Sequence, residues 1–324
     1  MWDAWRAVRP LIVLALALGA LATATSRAAE QAGPLVAHEF TQVHMGMPVR
    51  LRFYAPASDM AIHAATMAFA RIAELDSMMS DYRPASEVRR LAASSGTWVA
   101  TSPDLFAVLS RAVDISRATN GAFDPTIGPL VKLWREARTS RQLPDGAAVA
   151  SARTRVGWRW ITFDRPRHAV RLGRPDMQLD LGGIAKGYIV QQALAAMAGA
   201  GVTRALVEAG GDIAVGDAPP NREGWSIDVD GADTAFLTRA ARLTHASLAT
   251  SGPTAQFVDI GGVQYSHVID PRTGLGLTNH VTARVIGPDG ATADALATAL
   301  TIVDTKDVPR LQSLFPETLM SVER

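Results

Sequence analysis

Residues 178–187 (QLDLGGIAKG) constrain the fold most, because they predict a strand, a tight turn and a helix within ten residues. The apolar residues before the turn are typical of a short strand that carries one carboxylate, Asp180. The Gly182-Gly183 pair predicts the turn, and the alanine-rich residues after it predict a helix. Lys186 therefore falls in the first turn of that helix.

Lys186 at a helix N-terminus opposes the helix dipole, whereas an anion held there would be stabilised by the dipole, the backbone N–H groups and the lysine together. The stretch therefore indicates a phosphate site. A tight turn with a solvated lysine is equally compatible with these residues alone. The spacing matches neither G-x-x-x-x-G-K-[ST] nor G-x-G-x-x-G, so the common nucleotide-binding folds are not implied.

The first 29 residues have the pattern of an export signal rather than of a folded segment. Arg6 and Arg9 precede an apolar run over 11–24, and small residues follow at Ala28 and Ala29. We expect cleavage after one of these two alanines, with export to the periplasm by the general secretory route. An uncleaved anchor is the alternative, although the run is short for a membrane span.

Composition excludes several classes of chemistry. The 324 residues contain no cysteine, so disulfides, thiol nucleophiles and thiolate metal sites are excluded. A formal net charge of +1 gives no reason to expect a nucleic-acid partner. About 295 residues remain after the predicted cleavage, which is enough for a sizeable core, and we find no linker that divides 30–324 into separate domains.

Two amphipathic helices and a strand are predicted in the first half of the chain. Alternating apolar residues from Val49 to Phe53 indicate a half-buried strand. The next apolar residues have helical spacing, with Asp59 as the predicted cap: Ile62, Ala65, Phe69, Ile72, Leu75 and Met79. Ser102-Pro103 predicts the start of a second helix, whose inner face would be Leu105, Leu109, Ala112, Ile115 and Ala118.

Two loops in this half could contact a ligand. Residues 80–84 carry Tyr82 and one cation, and residues 121–130 contain two prolines and two glycines that fix an irregular backbone. In the second loop Phe123 offers a stacking surface beside the carboxylate of Asp124. A buried connector with Phe123 in the core is the alternative.

The middle of the chain is predicted to be mostly sheet. The arginine-rich residues 129–155 indicate a surface excursion with a helical piece near Leu133, and 160–172 indicate a hairpin. Residues 205–209 predict a buried strand that ends at Gly210-Gly211-Asp212. Further strands are predicted over 225–229 and 237–243. The small hydroxyl residues of 247–252 do not form a serine-hydrolase site, because the chain has no G-x-S-x-G elbow.

Two late segments carry further candidate groups. Over 263–269, strand alternation would place His267 on one face with Ile269, and a histidine there could move a proton near neutral pH. A structural histidine is the alternative. In the helix predicted over 291–303, Asp294 and Thr298 lie one turn apart, and Mg²⁺ would pair with their oxygens. A solvent-facing pair without a ligand is the alternative.

Five motifs, in order, resemble those of the ApbE family and cover roughly residues 40–305. They are GAFDPT at 121–126, DLGGIAKG at 180–187, GGD at 210–212, SHVIDPRTG at 266–274 and ADALATAL at 293–300. Members of that family are exported FAD:protein FMN transferases, which use Mg²⁺ to move FMN from FAD to a threonine or serine of an acceptor protein and release AMP. Some relatives instead hydrolyse FAD to FMN and AMP.

The resemblance implies a role for each matching residue. His267 would be the base for the acceptor hydroxyl, and Lys186 would steady the phosphates. Mg²⁺ would be held by Asp294, Thr298 and the backbone carbonyls at Gly183 and Ala297. The residues that match FAD contacts of the family are Met45, Tyr82, Ala122, Phe123, Asp124, Asp180, Lys186 and Ile269. The sequence departs from the family at Met47, where a threonine is common.

The resemblance also implies a mixed α+β fold, antiparallel-rich and flanked by helices, which agrees with the alternation of strands and helices. The acceptors would be flavin-binding domains of exported or membrane respiratory proteins. Two other functions remain open: a periplasmic FAD pyrophosphatase at the same Mg²⁺ site, and a flavin-binding protein that retains FAD without turnover. A base beside a metal site argues against the second.

Overall fold

The computed structural model describes residues 33–229, 232, 234–240, 242–252 and 257–323. The predicted export signal over 1–29 lies outside these residues. The described chain is a mixed α+β fold built on antiparallel sheets, as predicted. The assignment of 30–324 to one domain stays a prediction. No helix among the described residues is long and apolar enough to cross a membrane.

The strands and helices of the described residues are numbered in chain order. The strands are β1 Val36–His44, β2 Met47–Ala55, β3 Val99–Ala100, β4 Ile161–Asp164, β5 Ala169–Leu172, β6 Ala205–Ala209, β7 Asp212–Val215, β8 Ala246–Ser251, β9 Phe257–Ile260, β10 Val263–Ser266, β11 Ile269–Asp270, β12 Leu275–Gly276, β13 Thr282–Gly287 and β14 Leu319–Glu323. The helices are α1 Ser58–Met79, α2 Glu87–Ala93, α3 Pro103–Ala118, α4 Gly128–Ser140, α5 Gly146–Arg153, α6 Ala185–Gly199, α7 Thr234–Ala240, α8 Gly290–Leu300 and α9 Val308–Leu314.

Seven strands form the main sheet, in the order β1-β2-β6-β7-β8-β13-β14. Every neighbouring pair is antiparallel. The smaller sheets are β3-β5-β4 and the two-stranded pairs β9-β10 and β11-β12. The hairpin predicted over 160–172 is confirmed as β4 and β5.

Apolar residues cover both faces of the main sheet. On one face, α6 and α8 pack against the strands and α1 packs on α6, in a core that includes Leu51, Val207 and Leu296. On the other face, Trp225 and Phe236 cover Leu206 and Leu248. Because the sheet is covered on both sides, its central strands are mostly buried, and β7 is buried over its whole length, including Asp212.

Both amphipathic helices of the first half form, with two corrections to the first. Ser102 caps α3 by accepting a hydrogen bond from the Leu105 N–H at 3.2 Å, as predicted. The cap predicted at Asp59 is wrong, because α1 begins at Ser58 and Ala57 stands at its N-cap. Ile62 is also misplaced: it is 57% exposed, since α1 packs through its alanines.

Four other predictions of local structure are wrong. Residues 178–181 are not a strand; Gln178 forms only an isolated parallel bridge with Ile127. The strand predicted over 237–243 does not form: this segment contains the end of helix α7, and Leu243 forms an isolated bridge with Trp225. The strand predicted over 225–229 does not form either, because that bridge at Trp225 is the one strand-like pairing in it. The helical piece predicted near Leu133 is confirmed as α4, but the excursion over 129–155 is not all surface, because α4 buries Leu130 and Trp134.

Candidate active site

A cavity of about 980 Å³ lies at one end of the main sheet, where the turns between its strands meet the start of α6. The β1–β2 turn, the β6–β7 turn and the end of β8 form one side. The rest is formed by α4, α6, α8, the loops that follow α1 and α3, and the loop at His267. Of the predicted site residues, all but Ala297 line it: Met45, Tyr82, Ala122, Phe123, Asp124, Asp180, Gly183, Lys186, His267, Ile269, Asp294 and Thr298.

The β1–β2 turn places Met45 in the cavity wall. Met45 and Gly46 both have positive φ, 52° and 74°, which is the geometry of a two-residue type I′ hairpin. The next residue, Met47, lies against Gly210 of the neighbouring turn, where a Cβ would overlap its sulfur. The methionine that departs from the family pattern thus packs the two turns together.

Lys186 lies in the first turn of α6, as predicted, and its ammonium group is held by two carboxylates. It donates hydrogen bonds to Asp212 Oδ2 and, at 3.4 Å, to Asp294 Oδ1. The Gly187 N–H donates to the other oxygen of Asp294 at 3.1 Å. The lysine is therefore fixed rather than solvated, which decides against the solvated alternative.

Asp212 begins β7 and is 1% exposed, and its Oδ1 has no hydrogen-bond partner within the described part of the chain. Burial raises the pKa of Asp212 to about 7; the nearby charge of Asp294 acts in the same direction, and Lys186 opposes both. Burial alone would lower the pKa of Lys186, but Asp212 and Asp294 outweigh it and raise that pKa. Lys186 is therefore a permanent cation.

The predicted metal ligands lie around the crossing of α6 and α8. Asp294 and Thr298 are on one face of α8, and a Cβ on Gly183 would lie 2.9 Å from Thr298 Oγ1. Ala297 is fully buried on the same helix. At the C-terminal end of this helix, the N–H of the C-cap residue Thr301 donates a hydrogen bond to the Thr298 carbonyl.

These residues fit Mg²⁺ by their chemistry, since a carboxylate, a hydroxyl and backbone carbonyls are the oxygen donors that it prefers. No group of three or more His, Cys, Asp or Glu side chains in the described ranges could hold a metal ion. A metal at Asp294 would therefore depend on the hydroxyl and the carbonyls. The ligand roles stay predictions.

The loop over 121–130 is a buried connector that also forms part of the cavity wall. Ala122 and Phe123 are buried. Asp124 accepts hydrogen bonds from the N–H and hydroxyl of Thr126 at 2.9 and 2.6 Å, and from the Trp158 N–H at 3.0 Å. Burial raises the pKa of Asp124, and these hydrogen bonds oppose the rise. The carboxylate thus holds the loop in shape.

Tyr82 and Asp180 meet at a residue that the sequence analysis missed, Arg135 of α4. The Arg135 guanidinium lies 4.0 Å from the centroid of the Tyr82 ring. It donates to Asp81 at 2.5 Å and to Asp180 at 3.4 Å. Burial, together with the charge of Asp81, raises the pKa of Asp180; the Gly182 N–H and Arg135 oppose the rise. The helical spacing of Leu130 and Trp134 was the signal that could have placed Arg135 inward.

His267 is exposed at the cavity, in the turn between β10 and β11. It does not share a strand face with Ile269 as predicted, because β10 ends at Ser266. The turn is fixed on both sides: Ser266 Oγ accepts the Val268 N–H at 3.1 Å, and the Val268 carbonyl accepts the Leu277 N–H at 2.9 Å. Ile269, the first residue of β11, is buried.

The arrangement combines a fixed cation, oxygen donors for a hard metal ion and an accessible histidine in one cavity. A pyrophosphate needs charge neutralisation of this kind for displacement at phosphorus. The cavity volume also lies within the range of cofactor sites, about 300–1,000 Å³. The geometry therefore supports phosphoryl or nucleotidyl transfer on a sizeable ligand.

Comparison with known proteins points to the same chemistry. The chain matches the ApbE family over residues 45–319. It is 30% identical over 294 residues to the FAD:protein FMN transferase of Treponema pallidum, covering 84% of this chain and 80% of that protein. Its identity to the FAD:protein FMN transferase of Chlamydia muridarum is 31% over 237 residues, which cover 72% and 73% of the two chains.

Solved structures agree. The flavin transferase ApbE from Vibrio cholerae has a TM-score of 0.76 at 26% identity, covering 90% of this chain and 96% of that one. The ApbE protein from Thermotoga maritima has a TM-score of 0.75 at 26% identity, with coverage of 89% and 97%.

Proposed function

The chain belongs to the ApbE family, and we propose that it transfers FMN from FAD to a threonine or serine hydroxyl of an acceptor protein, releasing AMP. The observation that carries this proposal is the convergence of Lys186, Asp294 and His267 in one cavity. Its cysteine-free composition is no obstacle, because the nucleophile in this reaction comes from the acceptor.

In the reaction, the acceptor oxygen forms a bond to the FMN phosphorus while the bond to the bridging oxygen breaks, and AMP leaves with that oxygen. His267 accepts the proton of the attacking hydroxyl. Lys186, held by Asp212, places a positive charge beside the phosphates. Mg²⁺ bound by Asp294, Thr298 and the carbonyls of Gly183 and Ala297 would supply further charge neutralisation at the phosphate oxygens.

The remaining predicted contacts would hold FAD in the cavity. Phe123 lies beside Gly183, at 3.4 Å from the position of an added Cβ, and so connects the buried loop to the predicted metal site. Tyr82 is 74% exposed and presents a ring for stacking. Met45 and Ile269 would supply apolar wall. Asp124 would act through the loop that it shapes, since its carboxylate oxygens already accept internal hydrogen bonds.

The direct test is mass spectrometry of a purified flavin-acceptor domain after incubation with this protein, FAD and Mg²⁺, with AMP quantified in the same sample. We expect a mass gain of one FMN on a threonine or serine, matched by AMP, and no gain when a chelator is present. AMP and free FMN without labelling of the acceptor would indicate the hydrolase. Intact bound FAD would indicate a binding protein.

We also propose that the protein is exported to the periplasm after cleavage of residues 1–29, where its acceptors would be flavin-binding domains of exported or membrane respiratory proteins. The support is the sequence pattern of that segment. N-terminal sequencing of the protein from a periplasmic fraction tests it. A mature chain that begins at Ala29 or Glu30 is expected, and a full-length chain in the cytoplasmic fraction would contradict it.

A further inference from the structure

Arg135 connects three segments that line the cavity but are distant in sequence. Its guanidinium pairs with Asp81 in the loop after α1 and with Asp180 in the loop before α6. The same group lies over the ring of Tyr82. One side chain of α4 therefore touches two of the predicted FAD contacts, Tyr82 and Asp180.

The position of Arg135 is fixed by the helix that carries it. Its neighbour Trp134 is 4% exposed and donates a hydrogen bond from Nε1 to the Gly274 carbonyl at 2.9 Å. Leu130, one turn earlier, is fully buried. The backbone of α4 is thus anchored to the core and to the turn that follows β11, and Arg135 reaches the cavity from a rigid support.

The contacts have a clear physical consequence for Tyr82. An exposed tyrosine can leave a stacking position by rotation about χ1, unless one ring face is covered. A planar guanidinium covers a ring face well and is attracted to it, which a lysine ammonium does less well. Arg135 is itself held by its hydrogen bonds to Asp81 and Asp180. The uncovered part of the Tyr82 ring is thereby presented to the cavity.

We propose that Arg135 is a positioning residue for the FAD substrate: it holds the Tyr82 ring as a platform for an aromatic ring of FAD and fixes the adjacent carboxylate of Asp180. The inference deepens the proposed function and rests on it, because FAD is the ligand. Arg135 acts through Tyr82 and Asp180 and takes no part in the bond changes at phosphorus.

The test measures FAD binding and turnover in Arg135→Met, which keeps the length of the side chain, and in Arg135→Lys, which keeps the charge. For Arg135→Met we expect the Kd and KM for FAD to rise about tenfold, with kcat within about twofold of wild type. The Kd of Arg135→Lys for FAD should lie between those of the wild type and Arg135→Met, because lysine keeps the charge but lacks the planar guanidinium. Binding is read from the change in flavin fluorescence.

A double-mutant cycle shows whether Arg135 acts through the ring. In a Tyr82→Leu background, Arg135→Met should weaken FAD binding by no more than about threefold, because the platform is already gone. Lys132→Met is the matched control, since Lys132 is an exposed cation of the same helix outside the cavity wall. It should leave the Kd unchanged. Thermal unfolding of each variant checks the fold, and Arg135→Lys carries the test if Arg135→Met is unstable.

Three results would overturn the proposal: unchanged FAD binding in both Arg135 variants, an undiminished effect in the Tyr82→Leu background, or an equal loss in Lys132→Met. Binding without transfer by the wild-type protein would instead contradict the proposed function and leave the binding test of Arg135 intact. A wild-type protein that does not bind FAD would contradict both.

Discussion

Lys186 shows why the arrangement of charges in this site cannot be predicted from residues that are close in sequence. Its two carboxylate partners are 26 and 108 residues away, on β7 and α8. The DLGGIAKG motif predicts a cation at the start of a helix, but it does not predict that this cation pairs with the buried carboxylate of Asp212. Because Asp212 lies below the cavity wall and Lys186 in it, the carboxylate orients the cation without touching the ligand space.

Asp212→Asn should change the pH dependence of stability. Between about pH 4 and about pH 7 the folded state keeps the Asp212 proton, because its pKa is raised from 3.8 to about 7, while the unfolded state releases it. Unfolding therefore releases a proton in this range, and the wild type loses stability as pH rises. This slope in the free energy of unfolding is at most about 1.4 kcal/mol per pH unit, and Asp212→Asn should remove it.

Urea unfolding of both proteins with a chelator present, from pH 4 to pH 8, measures the two slopes. Asp124 and Asp180, whose pKa values burial also raises, lie apart from Asp212 and contribute equally to both proteins. Equal slopes would mean that Asp212 is ionised throughout the range.

His267→Ala should retain FAD binding and lose transfer. A positioned base contributes about a hundredfold or more to a proton transfer, so kcat should fall by at least that factor while the Kd for FAD changes little. His280→Ala is the control, because His280 is an exposed histidine outside the cavity wall. Rapid-quench assays of AMP release measure kcat. Full activity of His267→Ala would contradict the assignment of His267 as the base.

Asp294→Ala should abolish metal-dependent turnover. The carboxylate is 3% exposed and is the one charged side chain in the predicted metal set. Its loss removes the strongest oxygen donor and also frees the Gly187 N–H. We expect at least a hundredfold loss of turnover that excess Mg²⁺ does not restore. Mg²⁺ titration of the initial rate measures it, and a wild-type titration curve in the variant would contradict the assignment.

At the scale of elements, the site depends on the close crossing of α6 and α8. Gly187 and Gly290 stand where the two backbones meet, and a Cβ on either residue would overlap the carbonyl oxygen of the other. This contact brings Lys186 of one helix to Asp294 of the other. Alanine-rich sequences in both helices permit such an approach along the rest of the interface.

Gly187→Ala should therefore destabilise the protein although alanine favours helices. Overpacking of this kind costs about 1–3 kcal/mol or more, because the added methyl group meets backbone. Gly199→Ala is the matched control in the same helix, since a Cβ there meets nothing within 4 Å. It should be neutral or stabilising by up to about 1 kcal/mol. Urea unfolding compares the two, and equal stability of both variants would contradict the crossing.

The elements also show where sequence patterns succeed and fail. Helices α3 and α6 were predictable from local properties: the Ser102 cap and apolar spacing for α3, and the Gly182-Gly183 turn before an alanine-rich stretch for α6. Residues 178–181 have the pattern of a strand, but only the bridge at Gln178 forms, because the Asp180 N–H donates to the Pro125 carbonyl of the loop over 121–130 and not to a strand. Helix α7 was missed because its packing signal is short: Phe236 and Ala240, one turn apart, cover the main sheet.

Arg135 and Asp212 mark the limit of prediction for the site. The five motifs contain all of the predicted site residues that line the cavity except Met45 and Tyr82. Arg135 lies outside the motifs and Asp212 inside the one at 210–212, but the partners of both are on other elements, and only tertiary packing brings them together. Arg135 lies in a stretch whose charge resembles a surface helix, and its inward direction follows from the burial of Trp134 and Leu130.

For the whole molecule, the main sheet acts as a frame whose end carries the cavity. Two of its hairpin turns and the end of β8 lie beside the N-terminal end of α6 and the face of α8 that carries Asp294 and Thr298. The functional groups are therefore supplied by turns and helix residues on a rigid support, an arrangement that tolerates change elsewhere. The cavity at this end of the sheet is where we propose that a hydroxyl of the acceptor protein attacks the FMN phosphorus.

The most direct test of this account is the transfer reaction carried out in heavy-oxygen water with FAD, Mg²⁺ and a flavin-acceptor domain. Attack by the acceptor hydroxyl at the FMN phosphorus predicts an acceptor that gains one FMN, and neither the attached FMN nor the released AMP contains heavy oxygen. Heavy oxygen in free FMN or in AMP, together with an acceptor that has gained no FMN, would show that water is the nucleophile and would contradict the transferase assignment.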